Sequence, residues 1–463
     1  MIATATAITG GNVLTGGTLA PLDLAIGADG RVLALGGRGA FAGAGATLDA
    51  TGLLVLPGAI DSHFHVRAPS RPDRETFATA TRAVAAGGTT TLIEMPIAEP
   101  PTTDGASLRL RAALAAQETV IDVAFYASCA ADMGAMASAA AGGAVAFKAF
   151  LQRVPPGRES EFDGLCLPTT ADLAQAFERA RAFDLPCAFH AEDEPIYAMR
   201  EAHLRAAGRT DGPAHADARP DYVEAVSVGT LLALAASFGV HVHVPHVSSA
   251  LTAALIREAK ARGVPVTAET CPQYLAFDRT ALAQVGPYAK CNPPLKEAHD
   301  REAVWEAVRD GTIDTLASDH APFTVAEKEA ARENIWLAPP GMPGGELLLS
   351  WAVGEALEGR LTWRRFEELL VTNPARIFGL AGKGAIAPGV DADLVLYDPA
   401  DRGTFALAEF RSRAGGTGVL WDGFPRIGRV CRTLLRGQTV FDGESVIAAP
   451  GSGRVVGHTT DEE

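Results

Sequence analysis

Two histidines in Asp61-Ser62-His63-Phe64-His65 stand two residues apart at the end of an apolar run. In a strand such residues point to the same side, so both imidazoles can reach one metal ion. The chain carries its own control, because His241-Val242-His243 has the same spacing inside an apolar run and reads as structural. Position separates the pairs: His63 and His65 fall where a strand leaves the core. Lys148, in Ala146-Phe147-Lys148-Ala149-Phe150, is flanked by apolar residues. A buried charged lysine without a partner costs several kcal/mol. Two readings follow: a lysine that snorkels from a strand end, or a desolvated neutral amine that adds carbon dioxide to become a carbamate whose two oxygens could bridge two cations. His190, His246 and Asp319 each close a further apolar run. Taken singly, such residues are more often structural; four histidines, a buried lysine and an aspartate at the ends of the first, fourth, fifth, sixth and eighth of such runs point to a metal centre.

The elements that must carry these residues are eight short apolar, β-branched runs: 53–61, 89–96, 120–128, 144–150, 185–190, 239–246, 264–270 and 313–318. Most precede helical stretches such as 172–183, with Leu173, Ala176, Phe177 and Ala180 at helical spacing. Alternating strands and helices imply parallel pairing through crossovers, and eight units close into a (β/α)₈ TIM-like barrel of the α/β class. Catalytic groups then lie at the C-terminal strand ends, which are the ends where these residues fall. The flanks differ. Residues 1–52 include two alternating runs about an Asp29-Gly30 turn, and residues 385–450 hold further short strands with glycine turns. Each flank is too small for its own core, which predicts one small composite β-sandwich domain beside a barrel spanning 53–384. The polar, glycine-rich stretch 451–463 reads as a disordered tail.

Composition narrows the function. A chain of 463 residues with 48% hydrophobic and 21% charged residues can bury a large core. A net charge of −15 argues against nucleic acid as a partner. Six scattered cysteines without a CxxC pair read as free thiols, and the start lacks a signal-peptide pattern, so a cytoplasmic location is expected. The apolar stretch 226–244 is interrupted by Ser227, Ser237, Gly239 and two histidines, and reads as helix then strand, implying no membrane role. His203, His215 and His299 sit among polar residues and read as surface histidines, Trp351 and Trp363 as packing residues.

The motifs DSHFHVR, AFKAFL, FHAED, PHVSS, ETCPQYL, KCNPPLK and SDHAP, in order over residues 53–378, resemble the cyclic amidohydrolases of the amidohydrolase superfamily. That group spans allantoinases, hydantoinases or dihydropyrimidinases, and dihydroorotases. The resemblance implies that His63 and His65 hold the more buried of two divalent ions and His190 and His246 the more exposed one. It further implies that Lys148 bridges them as N6-carboxylysine, and that Asp319 joins the buried ion and acts as base. Two such ions can share a hydroxide at neutral pH, which would attack a ring carbonyl and open the C–N bond. Nitrogen and oxygen donors without thiolate suit zinc, with iron, manganese and cobalt as alternatives. Homo-oligomers are common in these families, so the resemblance implies a homo-oligomer.

FHAEDEP, Gly208-Arg209-Thr210-Asp211 and Glu269-Thr270-Cys271-Pro272 look most like allantoinases. Arg67 is similar to the dihydroorotase arginine that clamps a substrate carboxylate, and Asn292 fits dihydroorotases or hydantoinases; His320 either touches substrate or orients its loop. Against dihydroorotase, Ile97 stands where that pattern has asparagine, and Ala68 replaces its acidic residue. The reading favours allantoinase-like ureide hydrolysis over hydantoinase and then dihydroorotase activity. The rival of another class is a non-catalytic, dihydropyrimidinase-related scaffold, which would lack the metal ligands present here.

Overall fold

The structure, a computed structural model, describes residues 4–457. Eight strands form one parallel sheet in sequential order: Ala59–Phe64, Thr89–Glu94, Asp122–Ser128, Ala146–Phe150, Cys187–His190, Val242–Val244, Val266–Thr270 and Thr315–Leu316. Every residue of these strands is buried, as expected where helices cover the outside of the sheet. The last strand is led back to the first by a parallel bridge between Phe64 and His320, with the His65 amide donating to the His320 carbonyl at 2.9 Å. The register pairs Ser128 with Lys148 and Lys148 with Ala188, which fixes the lysine in the middle of the wall.

The helix predicted over 172–183 occupies Thr170–Ala180 and buries Leu173, Ala176, Phe177 and Ala180. Thr169 starts it: its side chain accepts from the Asp172 amide while Asp172 caps the Thr169 amide in return. The apolar stretch near 226–244 resolves into a helix, Asp221–Phe238, ended by Gly239 at φ 71° and followed by the sixth strand. By length and composition this helix, together with the short helix Gly212–Ala218 before it, is apolar enough to cross a membrane. Val223, Val228, Leu231 and Leu232 are buried, as in a barrel's covering helix.

Beside the barrel lie a four-stranded sheet from residues 4–49 and a six-stranded sheet that interleaves both chain ends. Ile8, Leu24 and Ile26 of the first pack with Val13, Val55, Leu394 and Leu434 of the second in one apolar core, making a sandwich. The run read as a single strand over 53–61 is divided. Leu54–Pro57 belongs to the six-stranded sheet, antiparallel to 394–397, and the barrel begins at Ala59. The chain passes between the two at Gly58, where a Cβ would lie 2.3 Å from the Thr90 side chain, so only glycine fits.

The predicted tail also needs correction. Val123 pairs with Val455; its amide donates to the Arg454 carbonyl, and the Gly451 and Gly453 amides donate to the Thr119 carbonyl. Backbone pairing that composition does not reveal therefore orders 451–457, while 458–463 lies outside the described residues. At this N-terminal end of the barrel Lys383 reaches Asp122 and Asp393, both at 2.5 Å, and Arg436 reaches Asp122 at 2.6 Å. Removing the lysine leaves two buried carboxylates short of a counter-charge. Lys383→Met should lower unfolding free energy by about 3–5 kcal/mol. Urea denaturation would measure this, with kcat/KM of the folded protein unchanged because the network sits opposite the catalytic face.

Candidate active site

The strand ends deliver the predicted residues to one cavity of about 480 Å³. His63 is the fifth residue of the first strand and His65 follows its end; Lys148 is central in the fourth; His190 closes the fifth. His246 lies two residues beyond the sixth strand, and Asp319 three beyond the eighth. Arg67, His246 and Asp319 have φ of 65°, 42° and 47°. Left-handed backbone at non-glycine residues costs of order 1–3 kcal/mol each and persists only where surroundings enforce it. Around Asp319 that enforcement comes from Asp61, whose carboxylate accepts from the Ser318 amide at 3.0 Å and the Ser318 hydroxyl at 2.5 Å.

The donor atoms converge in two groups. His63 Nε2 and His65 Nε2 lie 3.2 and 3.6 Å from Asp319 Oδ1. His190 Nδ1 faces His246 Nε2 at 3.1 Å, and the His63 and His246 rings are 5.5 Å apart between centroids. Lys148 is 1% exposed, and its Nζ has no hydrogen-bond partner. It is near enough to perturb the charge of His65, His190, His246 and Asp319. Burial pushes its amine down to about 8, against the pull of Asp319 and Glu269. Burial likewise depresses His65 and His246 and raises Asp319, so all four lean towards their uncharged forms. Converging nitrogen and oxygen lone pairs, a partnerless buried amine and facing imidazole nitrogens are the chemistry of a divalent-cation centre.

Arg67 and Asn292 also line the cavity. Arg67 is 3% exposed; its Nε and Nη1 have no hydrogen-bond partner, the closest carboxylate being Glu161 at 3.6 Å from Nη1. Asn292 Oδ1 is likewise unbonded. His320 does not join them. Its ring stacks on Phe64 at 4.3 Å, with Nε2 3.7 Å from Glu75, behind the wall. Of the two roles expected of His320, substrate contact does not fit this position, since the ring stacks on Phe64 and is absent from the cavity lining. His215 is corrected: it is buried, and its Nε2 donates to the Cys291 carbonyl at 3.0 Å. Polar neighbours in sequence concealed the inward face of its helix, Gly212–Ala218.

Glu192 and Glu269 belong to the FHAED and ETCPQYL motifs, where nothing in their local sequence marks a task for them. Glu269 Oε1 lies 2.8 Å from His63 Nδ1, and Glu192 Oε2 lies 3.0 Å from His190 Nε2. Burial alone would raise both carboxyls. The hydrogen bond with His63 and the nearby His243 imidazole at Glu269, and the charge of Arg219 with the His190 bond at Glu192, hold them well below the usual range.

Comparison with known proteins agrees with this geometry. The family described as the amidohydrolase family matches residues 54–420. An allantoinase of Rubrobacter xylanophilus is 38% identical over 97% of this chain and 96% of its own length. A dihydroorotase of Halobacterium salinarum is 35% identical over 86% of this chain and 88% of its own. Among solved structures, an L-hydantoinase (dihydropyrimidinase) from Arthrobacter aurescens superposes with a TM-score of 0.92 at 29% identity, covering 98% of this chain and 100% of that one.

Proposed function

The chain belongs to the amidohydrolase family, and from that premise we propose that it hydrolyses the C–N bond of a small cyclic amide, with allantoin or a close ureide as substrate. The observation that carries this reading is the convergence of His63, His65, Lys148, His190, His246 and Asp319 on one cavity. The allantoinase relative, similar over nearly the whole chain, favours the ureide.

In this reading His63, His65 and Asp319 hold one divalent cation and His190 and His246 a second. Lys148 serves both as N6-carboxylysine, and zinc suits the donor set. Such cations, when bound, make water acidic and polarise a carbonyl. The chain does the rest. Phe150, Phe162 and Ile97 give the cavity an apolar wall for a flat ring. Asp319 takes a proton from the attacking water as its oxygen bonds to the ring carbonyl carbon. The same carboxyl returns that proton to the ring nitrogen as the C–N bond breaks. The products sum to substrate plus one water.

Arg67 supports a second reading. A buried guanidinium with unbonded donors facing the cavity suits an anionic ring substituent, as dihydroorotate carries. Ile97, in the same cavity wall, supplies no polar partner for such a group. Hydrolysis of allantoin, dihydrouracil, 5-substituted hydantoins and dihydroorotate by metal-replete wild type and Arg67→Ala decides between them. Allantoin should be turned over best and be nearly indifferent to the substitution. If the anion reading holds instead, only the acidic ring should suffer, by roughly 10- to 100-fold, the worth of a hydrogen bond to a charged group. Hydrolysis of none of the four rings would sink the cyclic-amide assignment.

A further inference from the structure

We infer that Glu269 and Glu192 are positioning residues, each fixing the tautomer of one histidine in a different cation site, so that each carboxylate chiefly governs the affinity of its own ion. The inference rests on the two-cation reading above. A neutral imidazole can offer a lone pair on one nitrogen only when the other carries the proton, and a carboxylate facing that other nitrogen decides which is which. At His63 the carboxylate of Glu269 faces Nδ1 at 2.8 Å, leaving Nε2 towards Asp319 at 3.2 Å. At His190 the arrangement is reversed: Glu192 faces Nε2 at 3.0 Å, leaving Nδ1 towards His246 Nε2 at 3.1 Å. Their companions lack such an anchor, since Nδ1 of both His65 and His246 is without a partner. Each pair therefore holds one oriented and one unanchored imidazole.

The two carboxylates are held by separate parts of the molecule. Glu269 sits among barrel strands: it accepts from the Ser62 hydroxyl at 2.6 Å and lies 3.6 Å from His243 Nε2. Glu192 is held from the cavity side by Arg219 Nη1 at 2.8 Å, whose guanidinium lies 3.7 Å over the Tyr197 ring. Among the described hydrogen bonds these two supports share no residue. Loosening one should leave the other histidine oriented.

Glutamine keeps the shape of each side chain but can present an amide N–H to the ring, which drives the histidine proton onto the nitrogen meant for the cation. Apoprotein titrated with Zn²⁺ against a competing chelator, with metal content per chain measured after gel filtration, reads the effect without relying on turnover. Wild type should take up two ions. Glu192→Gln should bind one ion about 10- to 100-fold more weakly and the other, which shares only Lys148 with it, with a much smaller loss. Glu269→Gln should weaken the opposite ion by a similar factor. Adding His63→Ala to Glu192→Gln should abolish the remaining tight ion, whereas adding His190→Ala should leave it in place. Arg219→Met should act on the same ion as Glu192→Gln. Should Glu269→Gln fail to fold by circular dichroism, Ser62→Ala keeps the carboxylate, removes one of its donors, and should weaken that same ion to a smaller degree. Two wild-type-like ions in every variant, or equal weakening of both ions by either substitution, overturns the inference and leaves the two-cation reading intact. A wild type that saturates at one ion overturns both.

Discussion

Lys148→Met should abolish turnover, by roughly a thousandfold or more, and at the same time make the metal-free protein more stable. The two halves have one cause. The amine lies in the barrel wall with no hydrogen-bond partner, and a buried polar group left unsatisfied costs about 1–3 kcal/mol. Methionine fills nearly the same volume without that penalty, so the apoprotein should melt a few degrees higher. Function moves the other way. In the two-cation reading proposed above, without the amine no carbamate would form and the cations would lose a shared anionic ligand. Losing even an outer partner of a ligating group costs 10- to 100-fold in affinity, so loss of a direct ligand should be worse. Calorimetry of both apoproteins and metal content after reconstitution check the two halves. Reconstitution of wild type should also require dissolved carbon dioxide, giving metal-poor protein in CO₂-free buffer and full loading once bicarbonate is added. Metal-replete Lys148→Met with wild-type turnover would end the assignment. An ordinary interior lysine serving the fold through a buried ion pair would instead melt lower on substitution.

Much of this was legible because strand ends and catalytic positions coincide in a barrel. The eight apolar runs recover the eight strands in order, and His63, Lys148, His190, His246 and Asp319 stood out as polar residues interrupting or closing them. What escaped was whatever depends on a partner distant in sequence. Glu269 was visible as a residue, but its bond to His63 joins positions 206 apart, and Asp61 gives no hint locally that it holds Ser318, 257 residues away. His243 shows the limit of spacing arguments. It repeats the HxH pattern and, like His63, stands one residue before its strand ends, yet its ring lies towards Glu269 and does not line the cavity. The split of 53–61 was hidden for a different reason. Leu54–Pro57 and Ala59–Phe64 are equally apolar, and only the contact between Gly58 and Thr90 marks where one sheet yields to the other. A hydrophobic pattern reports burial without naming the layer that buries it.

Asp319→Asn should lower kcat by about 10²- to 10⁴-fold, the usual worth of a positioned general acid–base group, with a much smaller loss of metal. Asparagine is the informative replacement for two reasons. At φ 47° alanine would add backbone strain to whatever chemistry it removed, whereas asparagine tolerates the left-handed region well. The loop is also held independently of the side chain, through Ser318 to Asp61 and through the His65 amide to the His320 carbonyl, so the amide oxygen should stay where the carboxylate oxygen was. What asparagine cannot do is accept a proton and give it back. If the residue only filled a coordination position, an amide oxygen would serve nearly as well, and kcat would fall within tenfold of wild type once metal is saturating. If it moves the proton, kcat should collapse at full metal occupancy, and substrates whose leaving nitrogen needs least protonation should suffer least. Measuring kcat for a series of hydantoins of graded ring-nitrogen acidity, in both proteins at matched metal content, separates the two roles. A uniform deficit across that series would mean that the proton reaches the ring nitrogen by another route.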